Sequence, residues 1–574
     1  MRKRIQRRSV LIDPDLLPSR LHPVLRRVYA AREVRDARQL ECTLARLHAV
    51  DSLGGMPAAL DLLAGAMERG ERILIIGDFD ADGATSSALA VRALRAMGHA
   101  DVDYLVPNRF QYGYGLTPEI VALAAERRPK LLVTVDNGVS SLAGVAAARQ
   151  QGMRVLITDH HLPGAELPAA DALVNPNLPG DDFPSKSLAG VGVIFYVMLA
   201  LRARLRGEGW FERRGIAEPN MAELLDLVAL GTVADVVPLD HNNRILVDQG
   251  IRRIRAGRCC PGILALLEDA GREPGRLVAA DLGFAVGPRL NAAGRLEDMS
   301  LGIECLLTDD LTQARKLARE LGELNRQRRE IEGQMREEAL QVLDGLAGDR
   351  LPPGICLMDT HWHQGVIGIL AGRIKERFHR PVIVFAPGGE GELKGSARSI
   401  PGLHIRDLLD KIAARQPDLI RKFGGHAMAA GLSLDYDKFE RFRDAFAQAV
   451  AEEVTPETLE GVLLSDGELQ PSELDLAVAE ALREGGPWGQ GFPEPMFDGV
   501  FEVVQSRIVG ERHLKLALRH PQSSAWVDGI AFNALEQGWG EVPEAVRLVY
   551  RLDVNEYRGR RSVQLLVDYI EPAF

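Results

Sequence analysis

The sequence predicts an α/β protein in which a parallel-sheet domain is followed by a long helix, a second α/β domain and a small β-barrel. Three observations predict this order. From about residue 50 to 300, apolar runs alternate with helical patterns at the spacing of βαβ units. Residues 310–345 are charged and nearly free of glycine and proline, which is typical of one exposed helix ~50 Å long. Past residue 455, polar and apolar residues alternate, as in the antiparallel strands of an OB-like barrel.

Length and composition indicate a multidomain globular protein. The chain has 574 residues, of which 46% are hydrophobic and 26% charged, so about three domains are expected. No apolar stretch reaches the ~20 residues that span a bilayer, and the basic start lacks the apolar region of a secretory signal. Five cysteines without metal-ligand spacing suit a reducing compartment. We therefore expect a cytoplasmic protein with no membrane segment.

The charge of the chain is unevenly distributed. The net charge is −11, but residues 1–40 carry eleven Lys and Arg against four Asp and Glu. This basic N-terminal segment, taken as residues 1–48, is either a solvated face or part of a groove for phosphates. An acidic total argues against a protein that coats nucleic acid indiscriminately, and it is compatible with a local, dedicated site.

Three apolar runs have the pattern of buried parallel strands. Each of them is followed by acidic residues or histidines. Because the carboxyl ends of such strands meet at one edge of a sheet, these side chains are expected to converge. The runs and their polar residues are Ile73–Ile76 with Asp78, Asp80 and Asp82, Leu131–Val135 with Asp136, and 155–158 with Asp159, His160 and His161.

This set of side chains predicts a site for divalent cations. An extended segment would point Asp78, Asp80 and Asp82 the same way, and their carboxylates would repel one another without a cation. An apolar helix over 224–235 ends in a further acid, Asp235. Carboxylate and imidazole ligands without cysteine favour Mn²⁺ or Mg²⁺, and two such ions can clamp a phosphodiester during hydrolysis.

The alternative to a metal site is helix capping. An acid at a strand end is often the N-cap of the next helix, and Asp136 or Asp159 alone would be interpreted in that way. Four such motifs together, two of them beside histidines or other acids, favour the metal site.

The second half of the chain offers groups that can bind anions. Ser396, Arg398 and the glycine-rich turn around His426 can contact phosphate through an arginine fork and backbone N–H groups, although such a turn can also be purely structural. The C-terminal region has basic residues with aromatics among them, which suits single-stranded DNA; an ordinary solvated barrel face is the alternative. The basic residues are Arg507, Arg512, Lys515, Arg551, Arg558, Arg560 and Arg561, with Phe501 and Tyr557 among them, while Trp488 and Phe492 are expected to be packing anchors.

The motifs at 78–83, 135–139, 159–161 and 231–239, in that order, resemble the DHH phosphoesterase superfamily. Within it, the chain is similar over nearly its whole length to the bacterial single-strand-specific exonucleases, apart from Gln111 and Tyr112, where acidic residues are expected. The resemblance implies a DHH catalytic domain, a DHHA1 substrate-binding domain and an OB-like domain that binds single-stranded DNA. The expected boundaries are 1–48 for the basic segment, 49–309 for DHH, 310–347 for the connecting helix, 348–454 for DHHA1 and 455–574 for the OB-like domain.

The resemblance also implies roles for individual residues. Two ions, Mn²⁺ or Mg²⁺, would be held by five ligands, and Asp78 and His161 would act as catalytic residues by ligation or by contact with the scissile phosphate. Six residues would bind the substrate. The metal ligands are Asp80, Asp82, Asp136, His160 and Asp235, and the substrate-binding residues are Arg109, Tyr114, Arg289, Ser396, Arg398 and His426.

The activity that this resemblance implies is 5′→3′ exonuclease digestion of single-stranded DNA to 5′-mononucleotides, in DNA repair and recombination. The implied partners are single-stranded DNA, a single-strand-binding protein and a DNA helicase, and the chain is expected to be a monomer. Two alternative functions, another enzyme and a non-catalytic protein, compete with this interpretation. A DHH phosphodiesterase for short oligonucleotides or cyclic dinucleotides would not need residues 455–574, and a non-catalytic scaffold would not need intact metal motifs.

Overall fold

The computed structural model describes the chain in two compact units. One unit comprises Met1–Gln6 and Asn325–Leu464, and the larger one comprises Arg7–Leu324 and Ser465–Phe574. Apart from its first six residues, the smaller unit is therefore inserted into the sequence of the larger. The residues described are all except 1–2, 109–111, 113–114, 347–350, 390, 558 and 574, and the side chains of 345, 346, 537 and 557 are also left undescribed.

A five-stranded parallel sheet forms the centre of the larger unit. The side chains of Ile73 and Ile75 belong to one apolar cluster and those of Leu74 and Ile76 to another, so both faces of the sheet are covered. Two covered faces explain the uninterrupted apolar runs from which these strands were predicted. The strand order is Val102–Leu105, Ile73–Ile76, Leu131–Val135, Arg154–Thr158 and Ala172–Val174.

Helices surround this sheet, and two of them carry long buried apolar stretches. Helix Leu225–Ala234 and the first twelve residues of helix Gly190–Gly207 are apolar on nearly every face, as expected for helices inside a large core. The second confirms the apolar helix predicted over 224–235. The other helices of this region are Pro23–Ala30, Met56–Glu68, Ala81–Ala96, Pro118–Glu126, Leu142–Gln150, Trp210–Arg214, His241–Arg255, Pro261–Asp269, Ala279–Asp281, Leu282–Val286, Gly287–Leu296 and Ser300–Leu307.

The long charged segment is helical, as predicted. It forms one helix of 36 residues, Leu311–Leu346, which corresponds to about 54 Å at 1.5 Å per residue. The boundary between the two units falls within it, after Leu324.

The smaller unit contains a second α/β fold with a five-stranded mixed sheet. Strands Ile355–Met358 and Val382–Gly389 are parallel, and the remaining neighbours are antiparallel. The strand order is Lys422–Gly425, Ala429–Asp435, Glu392–Arg398, Val382–Gly389 and Ile355–Met358, with helices Ile367–Phe378, Ile405–Arg415 and Phe439–Glu453. A two-stranded sheet of Arg4–Arg7 and Val462–Ser465 lies where the chain passes from one unit to the other.

The C-terminal region of the larger unit is a closed five-stranded barrel, which confirms the predicted OB-like fold. Helix Leu476–Glu484 precedes it. The neighbouring strands are, in order, Phe497–Val509, His513–Arg519, Trp526–Ala531, Arg560–Pro572 and Ala545–Tyr557.

The barrel shares one continuous apolar core with the parallel-sheet region. Trp488 and Phe492, which were predicted to be packing anchors, stack with ring centroids 5.0 Å apart, and Tyr29 donates a hydrogen bond to the carbonyl of Gly485 at 2.8 Å. The chain segment before the barrel is thus built into the same unit as the parallel sheet.

Several N-terminal arginines form ion pairs with acids near the barrel. Arg7 contacts Asp498 at 3.0 Å, and the buried Arg32 contacts the buried Asp466 at 2.8 Å. The buried pair of Arg32 and Asp466 fits neither alternative from the sequence, whereas the side chain of Arg7 is 52% exposed, as on a solvated face.

The structure shows the state of the cysteines and the length of the apolar helices. The five cysteines are free thiols. In the part of the chain that the structure describes, no helix is both long and apolar enough to cross a membrane.

Candidate metal centre

The acids and histidines predicted from three strand ends and one helix end converge at the carboxyl edge of the parallel sheet. Seven side chains form three overlapping groups, and within each group one potential ligand atom from every residue lies within 4.8 Å of the others. The groups are Asp78, Asp80 and Asp136; Asp136, His160 and His161; and Asp82, His160 and Asp235.

The first acidic motif is held by helix N-termini and not by an extended segment. A helix begins at Ala81, and Asp80 is its N-cap, accepting from the N–H groups of Asp82 at 2.9 Å and Gly83 at 3.0 Å. The expectation that Asp78, Asp80 and Asp82 share one side of an extended chain is therefore wrong. Capping and metal ligation are compatible here, because a carboxylate has more than one acceptor position.

Asp82 is fixed by a second helix. Its two oxygens accept from the N–H groups of Gly190 at 2.6 Å and Val191 at 2.9 Å, at the start of the buried helix Gly190–Gly207. The positive end of that helix favours the ionised carboxylate. Asp82 is thereby held at the site with almost no exposure to solvent.

Asp136 occupies the centre of the cluster in a strained backbone conformation. Its φ is 62°, in the left-handed region that residues other than glycine rarely adopt. Its Oδ1 lies 3.0 Å from Nε2 of His160, and a Cβ atom added to Gly190 would lie only 2.5 Å from the Asp136 Cβ. Glycine at position 190 leaves the space that this carboxylate needs.

Asp159 positions the histidine pair and does not belong to the three groups of potential ligands among the described residues. Its carboxylate accepts from the backbone N–H groups of Val139, His160 and His161, and Oδ1 lies 2.7 Å from Nδ1 of His161. Burial lowers the pKa of His161, but the hydrogen bond to Asp159 and the negative charges of Asp159, Asp78 and Asp80 together outweigh burial, so the pKa of His161 is raised. Such a carboxylate behind an imidazole fixes its orientation and basicity.

Asp235 ends the apolar helix Leu225–Ala234 and faces His160, with Oδ2 3.5 Å from Nε2. The next residue, Val236, has a φ of 62°, which is unusual for a β-branched side chain. Three residues further on, the N–H of Leu239 donates to the carbonyl of Gln490 at 2.6 Å. The loop after this acid is therefore attached to the segment before the barrel.

The electrostatics of the cluster match a divalent cation. Burial, and then repulsion from Asp80, raise the pKa of Asp82 to about 7. Burial and neighbouring carboxylates also raise the pKa values of Asp136 and Asp235 well above the usual range for aspartate. A bound cation would relieve both effects. Buried carboxylates with one or two imidazoles and no thiolate suit Mn²⁺ or Mg²⁺.

A further helical segment, residues 279–296, flanks the cluster. Asn291 accepts through its side-chain oxygen from the N–H of Ala81 at 2.8 Å, so it fixes the turn that carries Asp80. The sequence pattern gave no signal for Asn291, since a lone asparagine in a helix has no distinctive spacing. Arg289, which was predicted to bind substrate, pairs with Asp269 at 2.8 Å.

Comparison with known proteins decides the family. Family models match residues 72–232 as the DHH family N-terminal domain, 352–452 as the DHHA1 domain and 465–569 as the RecJ OB domain. A single-stranded-DNA-specific exonuclease RecJ from Dickeya dadantii is 59% identical over 559 residues, or 97% of each chain. The chain belongs to the RecJ family.

Solved RecJ structures agree with this assignment. RecJ of Thermus thermophilus in complex with Mn²⁺ matches with a TM-score of 0.81 and 31% identity, covering 100% of this chain and 80% of that one. The corresponding Mg²⁺ complex matches with a TM-score of 0.75 and 30% identity, covering 100% and 79%.

In this RecJ-family chain, the DHHA1 sheet brings two of the predicted anion-binding residues together. The guanidinium of Arg398 donates to Oγ of Ser396 at 3.2 Å, and burial lowers the pKa of Arg398. A Cβ atom added to Gly368 would lie 2.9 Å from the guanidinium of Arg398 and 2.9 Å from Oγ of Ser396. Because Gly368 lies in the first turn of helix Ile367–Phe378, that turn borders both side chains. His426 is exposed in the turn that follows strand Lys422–Gly425. Its N–H donates to the carbonyl of Ala429 at 2.8 Å, and Ala429 is the neighbour of Arg398 in the sheet.

The barrel of this RecJ-family chain presents different aromatics from those predicted. Phe501 is fully buried in the core, so its predicted place beside DNA is wrong; Tyr557 lacks a described side chain and Arg558 lies outside the described residues. Trp526 and Phe532 are 66% and 53% exposed. They could have been found only by knowing which side of each strand faces outward.

The predicted site residues thus have different outcomes. The seven metal and catalytic residues are brought together. Ser396 and Arg398 are adjacent in the other unit, while His426 lies further along the same sheet. Arg109 and Tyr114 lie outside the described residues.

Proposed function

We propose that this chain is a metal-dependent hydrolase that removes 5′-mononucleotides from single-stranded DNA in the 5′→3′ direction, in DNA repair and recombination. The observation that carries the proposal is the convergence of all four acidic motifs at one sheet edge, in a chain 59% identical to a single-stranded-DNA-specific exonuclease. The division of tasks would follow the predicted segments, with metal chemistry in 49–309, end recognition in 348–454 and strand binding in 455–574.

The proposed mechanism assigns a task to each side chain. Two Mn²⁺ or Mg²⁺ ions would be held by five side chains, those of Asp80, Asp82, Asp136, His160 and Asp235. Such ions, when bound, stabilise the charge that develops on the phosphoryl oxygens and lower the pKa of water.

Two further side chains would act on the phosphate itself. Asp159 holds the ring of His161 through Nδ1, and the imidazole would donate to a non-bridging oxygen of the scissile phosphate. Asp78 would complete the site by ligation or by orienting the attacking water in line with the leaving oxygen.

The direction of digestion is proposed to depend on a pocket for the 5′-terminal phosphate. Ser396 and Arg398 offer a hydroxyl and a guanidinium beside the first turn of a helix, a combination that suits a phosphate dianion. The same DNA strand is proposed to contact four further residues, Arg109, Tyr114, Arg289 and His426.

Replacement of Arg398 by alanine should reduce kcat/KM for 5′-phosphorylated DNA by about 10- to 100-fold, since hydrogen bonds between charged groups contribute ~1.5–3 kcal/mol. DNA with a 5′-hydroxyl end should be affected much less. The control is Arg421→Ala, which removes an arginine paired with Asp435 in the same sheet. Equal losses on both substrates would instead indicate a general backbone contact.

The outer face of the barrel is proposed to bind the strand that enters the site. Arg507 is exposed, with no ion pair to a described carboxylate, and it pairs across strands with Lys515. Trp526 is exposed on the same barrel. A positive groove with aromatic platforms binds single strands without sequence preference.

Two substitutions in the barrel should affect DNA affinity differently. Arg507→Ala should make the slope of log affinity against log salt concentration shallower by about 0.7, because one fewer phosphate is neutralised. Trp526→Ala should weaken binding about tenfold with an unchanged slope. Fluorescence anisotropy in EDTA measures both. The control is Arg206→Ala, which removes an exposed arginine outside the barrel, near the C-terminal end of helix Gly190–Gly207. Unchanged affinity in both barrel variants would contradict the strand-binding role.

Digestion of end-labelled DNA with Mn²⁺ or Mg²⁺ tests the function itself. A 5′ label should appear at once as a mononucleotide, and a 3′ label should remain on progressively shorter strands. Preference for dinucleotides would favour the oligonucleotide phosphodiesterase, and no metal-dependent hydrolysis would favour the scaffold. The barrel argues against the first rival and the complete ligand set against the second.

The remaining expectations are also proposals. A cytoplasmic location fits five free cysteines. A single-strand-binding protein and a DNA helicase would be the partners that supply and hold the substrate strand, and the chain would act as a monomer.

A further inference from the structure

The helical segment beside the metal centre changes its winding for five residues. Residues Ala279–Asp281 are α-helical, Leu282–Val286 form a π-helix, and Gly287–Leu296 are again α-helical. Such π turns are rare and often occur at functional sites. Within the turn Leu282 and Val286 are fully buried, whereas Phe284 is 80% exposed.

The turn that carries Phe284 packs against the end of the helix that bears Asp235. A Cβ at Gly283 would lie 3.2 Å from Cγ1 of Val233, and one at Gly287 would lie 3.2 Å from Cβ of Ala234. Since Val233 and Ala234 directly precede Asp235, the backbone of Phe284 stands beside the last turn before a proposed metal ligand.

A second large apolar side chain is exposed next to the same ligand. Val236 directly follows Asp235, is 63% exposed and has a φ of 62°. Single exposed apolar residues are normal, but here one directly follows a proposed ligand and the other lies on the turn that packs against the helix ending at that ligand. The ligand that fits must carry an apolar face close to a phosphate, which is the chemistry of a nucleotide base.

We propose that Phe284 is the platform on which a base next to the scissile phosphate stacks, with Val236 against the edge of that base. The inference rests on the proposed function, because it requires DNA at the metal centre. Stacking on a phenyl ring accepts every base, since each has a π face. It also requires a base that is free of a partner strand, which gives the site a reason to prefer single strands.

Fluorescence of 2-aminopurine tests the stacking without catalysis. Oligonucleotides with the probe at the first, second or third nucleotide from the 5′ end are bound in EDTA. The wild type should quench the probe at one of these positions, Phe284→Trp should retain the quenching, and Phe284→Ala and Phe284→Leu should lose it. Tyr436→Ala, which removes an aromatic that is 49% exposed in the other unit, should behave as the wild type. Equal quenching in Phe284→Ala would overturn the proposal.

An abasic nucleotide at the quenched position provides the kinetic test. It should lower kcat/KM of the wild type about tenfold, whereas Phe284→Ala should already show this loss on normal DNA and lose nothing more. If the loss from the abasic nucleotide and the loss from Phe284→Ala were independent and additive, Phe284 would not contact the base. If the wild type fails to digest normal DNA with Mn²⁺, the proposed function itself is wrong; digestion without any effect of Phe284 overturns only the stacking site.

Discussion

Asp136→Asn should reduce Mn²⁺-dependent hydrolysis of single-stranded DNA by about a thousandfold, equivalent to ~4 kcal/mol in the activation free energy. Asp136 belongs to two of the three ligand groups, so its loss would affect both ions. Initial rates of mononucleotide release at saturating Mn²⁺ measure the effect.

The same substitution should not lower the stability of the metal-free protein. Burial and like charges raise the pKa of Asp136 in the folded state, so its ionised form opposes folding at neutral pH. Asparagine removes that charge, and the unfolding temperature in EDTA should stay the same or rise. Asp61→Asn, at an exposed acid on another helix, is the control. Near-wild-type activity of Asp136→Asn would show that the metal assignment is wrong.

Gly190→Ala should have the second largest effect, although the residue has no side chain of its own. The added methyl would lie 2.5 Å from Cβ and 2.8 Å from Oδ1 of Asp136, and the N–H of Gly190 also holds Asp82. Both carboxylates should shift, so activity should fall about 10- to 100-fold, as when groups that orient metal ligands are lost. Overpacking should also lower the unfolding free energy by about 1–3 kcal/mol.

Gly207→Ala is the matched control, because it lies at the other end of the same helix and an added Cβ meets no atom within 4 Å. It should leave activity unchanged and stabilise the helix slightly. Titrations with Mn²⁺, followed by calorimetry and by activity, separate the two variants. Identical Mn²⁺ affinities would mean that Asp136 does not depend on the space at Gly190.

The sequence predicts the positions of the site residues better than it predicts how they are held. Buried parallel strands leave continuous apolar runs, so the residues at their ends are easy to identify. The segment with Asp80 and Asp82 was expected to be extended because alternate acids suggest a strand; N-capping by Asp80 starts a helix at that point instead. Asp159 carries no sequence mark that distinguishes a ligand from a residue that orients one.

Contacts between distant segments are the part that the sequence could not supply. Arg32 and Asp466 are 434 residues apart, and only the fold brings them together. The orientation of barrel strands posed the same difficulty, because alternation of polar and apolar residues over Phe497–Val509 does not by itself place Phe501 inside. An isolated exposed residue such as Phe284 has no periodic pattern at all.

The link between Leu239 and Gln490 has a consequence for the order in which the enzyme matures. The loop after Asp235 is attached to a segment that the ribosome makes some 250 residues later, and the larger unit includes everything from Ser465 onward. At about 5–20 residues per second, the nascent chain carries its four acidic motifs for on the order of ten seconds or more before that unit can close. Translation thus places assembly of this unit last, when the residues of the barrel are also present.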